Sequence, residues 1–179
     1  MKLTTKQIAM TAALLAICIV SQFFKNTSVF ITGPIINACI ILAGLSAGLC
    51  CGIILSVITP ITSFIISGSP IMSAIPAIIP CVMIGNALIV ICVCLLKNKI
   101  KGNLGLPVSM ITGCIAKALF MGIAISLILI PMLLPEKMQP KMSTFQSIFS
   151  VVQLITAAIG SVYAYIIWIP LKKYLNNEA

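Results

Sequence analysis

Long apolar runs separated by short polar breaks make up the chain. Lys2 and Lys6 precede 18 uncharged residues, Gln7 to Phe24, and Lys25 follows at once. The next 71 residues, up to Lys97, carry no charge. That is far too long for one helix and enough for three crossings of about 20 residues each. Gly44, Gly48 and Gly52 punctuate this stretch, and Ser67-Gly68-Ser69-Pro70 punctuates it again, both as turn chemistry. Two further apolar runs follow, Leu104 to Pro135 and Ser143 to Pro170. The pattern predicts an all-α integral membrane protein: a single domain, 1–179, of six transmembrane helices over 7–24, 29–48, 50–67, 72–96, 107–134 and 143–170. Pro60 in the third span, and Pro76 and Pro80 in the fourth, predict kinks or irregular first turns in the outer half.

Composition narrows the function classes. Only 7% of residues are charged, against about a quarter in an average soluble domain, and the mean hydropathy is +1.25. No soluble core could enclose that much apolar surface, so lipid is the expected solvent. The 11 cations are all lysines, and the only acids, Glu136 and Glu178, lie near lysines in polar segments. Without a carboxylate pair or any histidine, neither an enzyme nor a metal or cofactor site is expected. A net charge of +9 does not point to nucleic acid, because the lysines are scattered rather than gathered with aromatics on one face. The eight cysteines fall in or at the ends of apolar stretches and read as buried thiols. The first apolar run superficially resembles a signal peptide. It exceeds the usual core of about 7–15 residues and lacks a small-residue cleavage site, so it is expected to stay as the first helix.

Six crossings with the N-terminus inside place Lys2, Lys6, Lys97, Lys99, Lys101, Lys172 and Lys173 on the cytoplasmic side and Lys25, Lys137 and Lys141 outside. This bias follows the positive-inside rule and predicts that both termini are cytoplasmic.

Lys117 is the one lysine in no loop, about halfway along the fifth span. An ammonium there costs about 2.5–3.5 kcal/mol on insertion scales, so it requires a partner. No intramembrane carboxylate exists, which leaves backbone carbonyls, side-chain amides, a neutral amine or a bound anion. Lys117 is therefore either a ligand or coupling residue or a structural one. Asn37, Thr59, Thr62, Ser63, Asn86, Gln146 and Gln153 recur at similar or more external depth. They should face the bundle interior, either forming a pocket or bonding neighbouring helices. Lys117, Asn86, Asn37, Gln153, Thr59 and Thr62 are the candidate substrate-binding set. In the first span Ala9, Ala12, Ala13 and Ala16 share one face, which serves either as a docking surface for another protein or as packing within the chain.

The span count, the stripe Ala9-x-x-x-Ala13 with Ala12-x-x-x-Ala16, and three further stretches carry a resemblance. These stretches are Thr32-Gly-Pro-Ile-Ile-Asn37, Ile79-Pro-Cys-Val-Met-Ile-Gly-Asn86-Ala-Leu and Ala116-Lys117-Ala-Leu-Phe120. Over nearly its whole length the chain resembles the substrate-binding S component of energy-coupling factor (ECF) vitamin transporters. The resemblance implies a bacterial plasma-membrane protein that captures a vitamin or similar micronutrient near the external side. It also implies that Ala9, Ala12, Ala13 and Ala16 meet a transmembrane T component joined to two cytoplasmic ATPases. No G-x-x-x-x-G-K-[ST] motif occurs, so energy would have to come from such partners. The chain departs from the better-known branches of that family in its sparse aromatic content, 6%, with few rings near the outer ends, which counts against a flavin-like stacking site. Two rival readings are an ion-coupled secondary carrier, which would lack intramembrane Asp, Glu or His for a relay, and an assembly subunit of a membrane complex.

Overall fold

The structure, a computed structural model, describes residues 3–25, 27–100 and 104–177, with side chains as far as Leu175. Lys2, Lys101 and Glu178 lie outside the described residues. Six helices are long and apolar enough to cross a membrane, and no strand occurs among the described residues. The chain is a multi-pass, all-α membrane protein.

The first three crossings are α1 (Thr5–Gln22), α2 (Val29–Ser46) and α3 (Leu49–Ser67). A capping box starts α1: Gln7 N–H donates to Thr4 Oγ1 at 3.3 Å, and Thr4 N–H donates to Gln7 Oε1 at 2.9 Å. Gln7 Nε2 also donates to the Ala47 carbonyl at 2.8 Å, which ties the start of α1 to the end of α2. Gly48, at φ +99°, makes the turn into α3, and Gly68, at φ +57°, ends α3 in the left-handed conformation that glycine tolerates.

Later spans depart from the single rods expected over 72–96, 107–134 and 143–170. Pro70–Ala74 forms a separate short helix, α4, and α5 spans Ile78–Leu96. Pro76 is the cause, since it bars the helical conformation from the residue before it, and Ile75 is extended at φ −129°, ψ 81°. Pro80 falls in the first turn of α5, where its missing N–H interrupts no bond. The fifth crossing consists of α6 (Gly105–Met121), a π-helical stretch (Gly122–Leu129) and α7 (Ile130–Leu133). The sixth starts as a 3-10 turn (Glu136–Lys141) and α8 (Met142–Phe149), breaks at Ser150 (φ −117°, ψ −88°), and continues as α9 (Val151–Asn177), past Pro170.

The bundle is built around α2. Of its membrane-length window 61% is buried, against 17% for α1, and it packs on α1, α3, α5 and α9. Ile40, Ile41, Leu55, Ile89 and Val93 form the core at this level. A second apolar cluster, with Ile71, Ile75, Met121, Ile125, Ile130 and Phe149, closes the end near α4 and α8. The outer faces carry Ile17, Ile65, Ile111, Leu127 and Ile166, all exposed, as a lipid-facing surface requires.

Glycines set how closely the helices approach. A Cβ on Gly52 would lie 2.5 Å from Val90 Cγ1 and 3.0 Å from Gly44 Cα. On Gly160 it would lie 2.6 Å from both the Pro34 carbonyl oxygen and Asn37 Cβ. Small residues thus let α3 and α9 reach the backbone of α2. Gly52→Val is expected to cost about 1–3 kcal/mol by overpacking, read as a lowered melting temperature in detergent. An unchanged melting temperature would contradict this packing.

Candidate functional site

Lys117 lies on the inward face of α6 and is 2% exposed. Its Nζ donates to Asn37 Oδ1 at 2.6 Å and to Asn86 Oδ1 at 2.8 Å. An ammonium offers only donors, so both amides present oxygen to it. Asn37 is braced in turn, its Nδ2 donating to the Gly33 carbonyl at 2.9 Å. Gly160 lets α9 pack directly against Asn37 and the Pro34 carbonyl of α2, and Gly85 of α5 faces Met121 and the Lys117 stem. Two hydrogen bonds to a charged group, at about 1.5–3 kcal/mol each, match the about 2.5–3.5 kcal/mol that a central lysine costs on insertion scales. The amides therefore suffice to hold the side chain inside the bundle. They supply no opposite charge.

A cavity of about 330 Å³ opens beside this cluster. Helix α2 contributes Thr32, Ile36 and Asn37; α3 contributes Thr59, Pro60, Ser63 and Ser67; α5 and α6 contribute Val82, Asn86 and Lys117. Ile71 and Met72 of α4, Phe145 and Phe149 of α8, and Gln153 of α9 complete much of the wall. Its volume is at the lower end of the roughly 300–1,000 Å³ range for small-molecule pockets, and its mix of apolar walls with a few convergent polar groups is the usual pattern.

Lys117, Asn86, Asn37, Gln153 and Thr59 all line this cavity. The Gln153 side-chain amide makes no hydrogen bond among the described residues, although the residue is only half-exposed. Thr62 does not line the cavity. It is half-buried away from the cavity, and its hydroxyl donates back to the Ile58 and Thr59 carbonyls. Thr59 and Ser63 share a face at i, i+4, and Thr62 is turned aside from it. Gln146 does not line the cavity either. Its Nε2 donates to the Ser126 carbonyl at 2.8 Å, and Ser126 Oγ donates to the Gln146 carbonyl at 2.8 Å. That reciprocal pair fastens α8 to the π-helical stretch, whose altered bonding is a frequent feature of functional sites.

Sequence reasoning assigned Lys25 to an external loop, yet it lines the same cavity, with Nζ donating to Ser63 Oγ at 2.6 Å. Partial burial pulls its pKa below the ordinary lysine value. The aromatic pair Phe145 and Phe149 was also missed; its i, i+4 spacing was the available signal. Gln22, nearly fully buried at the end of α1, donates to the Thr59 carbonyl at 3.1 Å, and its Oε1 has no partner.

Ala9, Ala12, Ala13 and Ala16 are exposed, while Leu14, Leu15 and Cys18 turn towards the core. The stripe is thus uncovered rather than packed against another helix of the chain. No group of three or more metal-ligating side chains occurs among the described residues. Comparison with protein-family models, curated proteins and solved structures finds no match to this chain.

A double-mutant cycle tests the lysine–amide cluster. Asn86→Leu should cost about 1–3 kcal/mol by leaving the ammonium short of a partner. Combined with Lys117→Met, it should show about 0.5–3 kcal/mol of coupling. Additive losses in thermal stability would show that the two side chains do not meet.

Proposed function

We propose that the chain is the substrate-binding S component of an ECF-type importer in a bacterial plasma membrane. With both termini cytoplasmic, it captures a vitamin or related micronutrient from the external side. It passes this ligand on through a T component and two ATPases. The observation that carries the reading is the cavity beside Lys117. It extends to Lys25, Ser67, Ser69 and Pro70, at the end of the bundle opposite the start of α1. Within it, Lys117 and Asn86 recognise a ligand group that accepts hydrogen bonds or bears negative charge, and the amide of Gln153 is free to bond the same ligand.

The uncovered alanines support the partner half of the reading, because a smooth small-residue face admits close helix packing. An assembly subunit would also use such a face, but has no need of a polar cavity. An ion-coupled carrier is disfavoured because Lys117 is the only ionisable group other than thiols buried among the described spans, and its partners are amides.

Affinity purification should recover a transmembrane partner and two ATPases. Ala12→Leu with Ala13→Leu should weaken that association and leave ligand binding by the isolated chain unchanged. Lys117→Ala should weaken binding by about tenfold or more. In vesicles containing this chain alone, no uphill uptake is expected; sustained accumulation would contradict the proposal.

A further inference from the structure

The cavity wall contains two ammonium groups, those of Lys117 and Lys25, and among the described residues no carboxylate. Each is hydrogen-bonded to neutral oxygens: two amide oxygens for Lys117, and the Ser63 hydroxyl for Lys25. Glu136, the one acid among the described residues, is exposed in the 3-10 turn and does not line the wall. The two cations sit at different depths. Asn37, which holds Lys117, lies eight residues into α2 from Val29. At 1.5 Å per residue this is about 12 Å along the helix. Lys25 precedes α2, and its Ser63 partner stands one turn beyond Thr59 on α3. The wall around them combines Ile36, Val82 and Phe149 with the uncharged polar residues Thr32, Thr59 and Gln153.

We infer that the cavity selects an organic anion, and that Lys25 is a second cationic anchor for it, at the mouth, working with Lys117 at the floor. The inference rests on the reading of this cavity as a ligand site and adds the ligand's charge class and a second specificity residue. Among the described residues no acid lines the wall to balance the two cations, so a carboxylate or phosphate group of the ligand supplies the charge, with charge-assisted bonds stronger than neutral ones. Charge at the mouth draws an anion inward, and the apolar side chains of the wall take the ligand's body.

The test uses the full chain in detergent and matched pairs that differ in charge: nicotinate with nicotinamide, pantothenate with panthenol, and biotin with biotinamide. Riboflavin and thiamine serve as uncharged and cationic controls, and a phosphate ester, pyridoxal phosphate with pyridoxal, separates phosphate from carboxylate recognition. Binding is read by calorimetry. At least one acid or phosphate should bind, with its uncharged counterpart weaker by about tenfold or more. Lys25→Gln should weaken the anion by about tenfold and leave the uncharged counterpart within about twofold, and Lys25→Arg should restore most of the loss. Equal binding of both members of a pair, or equal weakening of both by Lys25→Gln, would overturn the inference. Binding of riboflavin or thiamine alone would overturn the charge assignment and leave the receptor reading standing. No binding by any compound would count against both.

Discussion

In hydrocarbon a polar group has no water to bond, so each one must find its partner inside the protein. Lys117 makes the largest demand of this kind in the molecule. Meeting it with Asn37 and Asn86 fixes which faces of α2, α5 and α6 turn inward. The rest of the packing accommodates that choice. Gly160 brings α9 against Asn37, Gly85 leaves space beside the Lys117 stem, and the Gly44–Gly52 approach draws α3 onto α2. A side chain at Gly160 would meet the Pro34 carbonyl and Asn37 Cβ, and so push α9 off the helix that carries a partner of the lysine.

The cavity follows from the interruptions in the later spans. The short α4 before the Pro76 turn places Ile71 and Met72 in the cavity wall, which Pro60 and Ser63 of α3 also line. The break at Ser150 likewise lets α8 angle Phe145 and Phe149 into the wall while Gln146 holds the π-helical stretch. Irregular backbone is tolerated at membrane depth where it faces protein or a cavity rather than lipid, and these breaks meet that condition.

Six crossings were legible because lysines mark the ends of most apolar runs and the glycine and proline clusters divide the long one. Lys117 stood out for a related reason: a charge in the middle of a span is costly enough to be informative on its own. The finer features depend on tertiary contacts that periodicity does not encode. Thr59 and Thr62 look equivalent in the sequence, yet only rotation about α3 decides that one lines the cavity. Lys25 reads as a loop charge until the fold brings Ser63 to it. The π-helical stretch in Gly122–Leu129 carries no composition signal, since its residues suit an ordinary apolar helix equally well. Ser150 gives little warning of a break, because serine is common in unbroken membrane helices.

The most direct test of the central claim is an experimental structure of the purified protein with its bound small molecule. The account predicts density between α2, α3, α5 and α8, with a ligand oxygen within hydrogen-bonding distance of Lys117 Nζ and the two asparagines still in place. Two results would contradict it. One is a ligand seated instead in the apolar groove of Met110, Leu154 and Tyr165 between α6 and α9; the other is a Lys117 side chain turned away from Asn37 and Asn86.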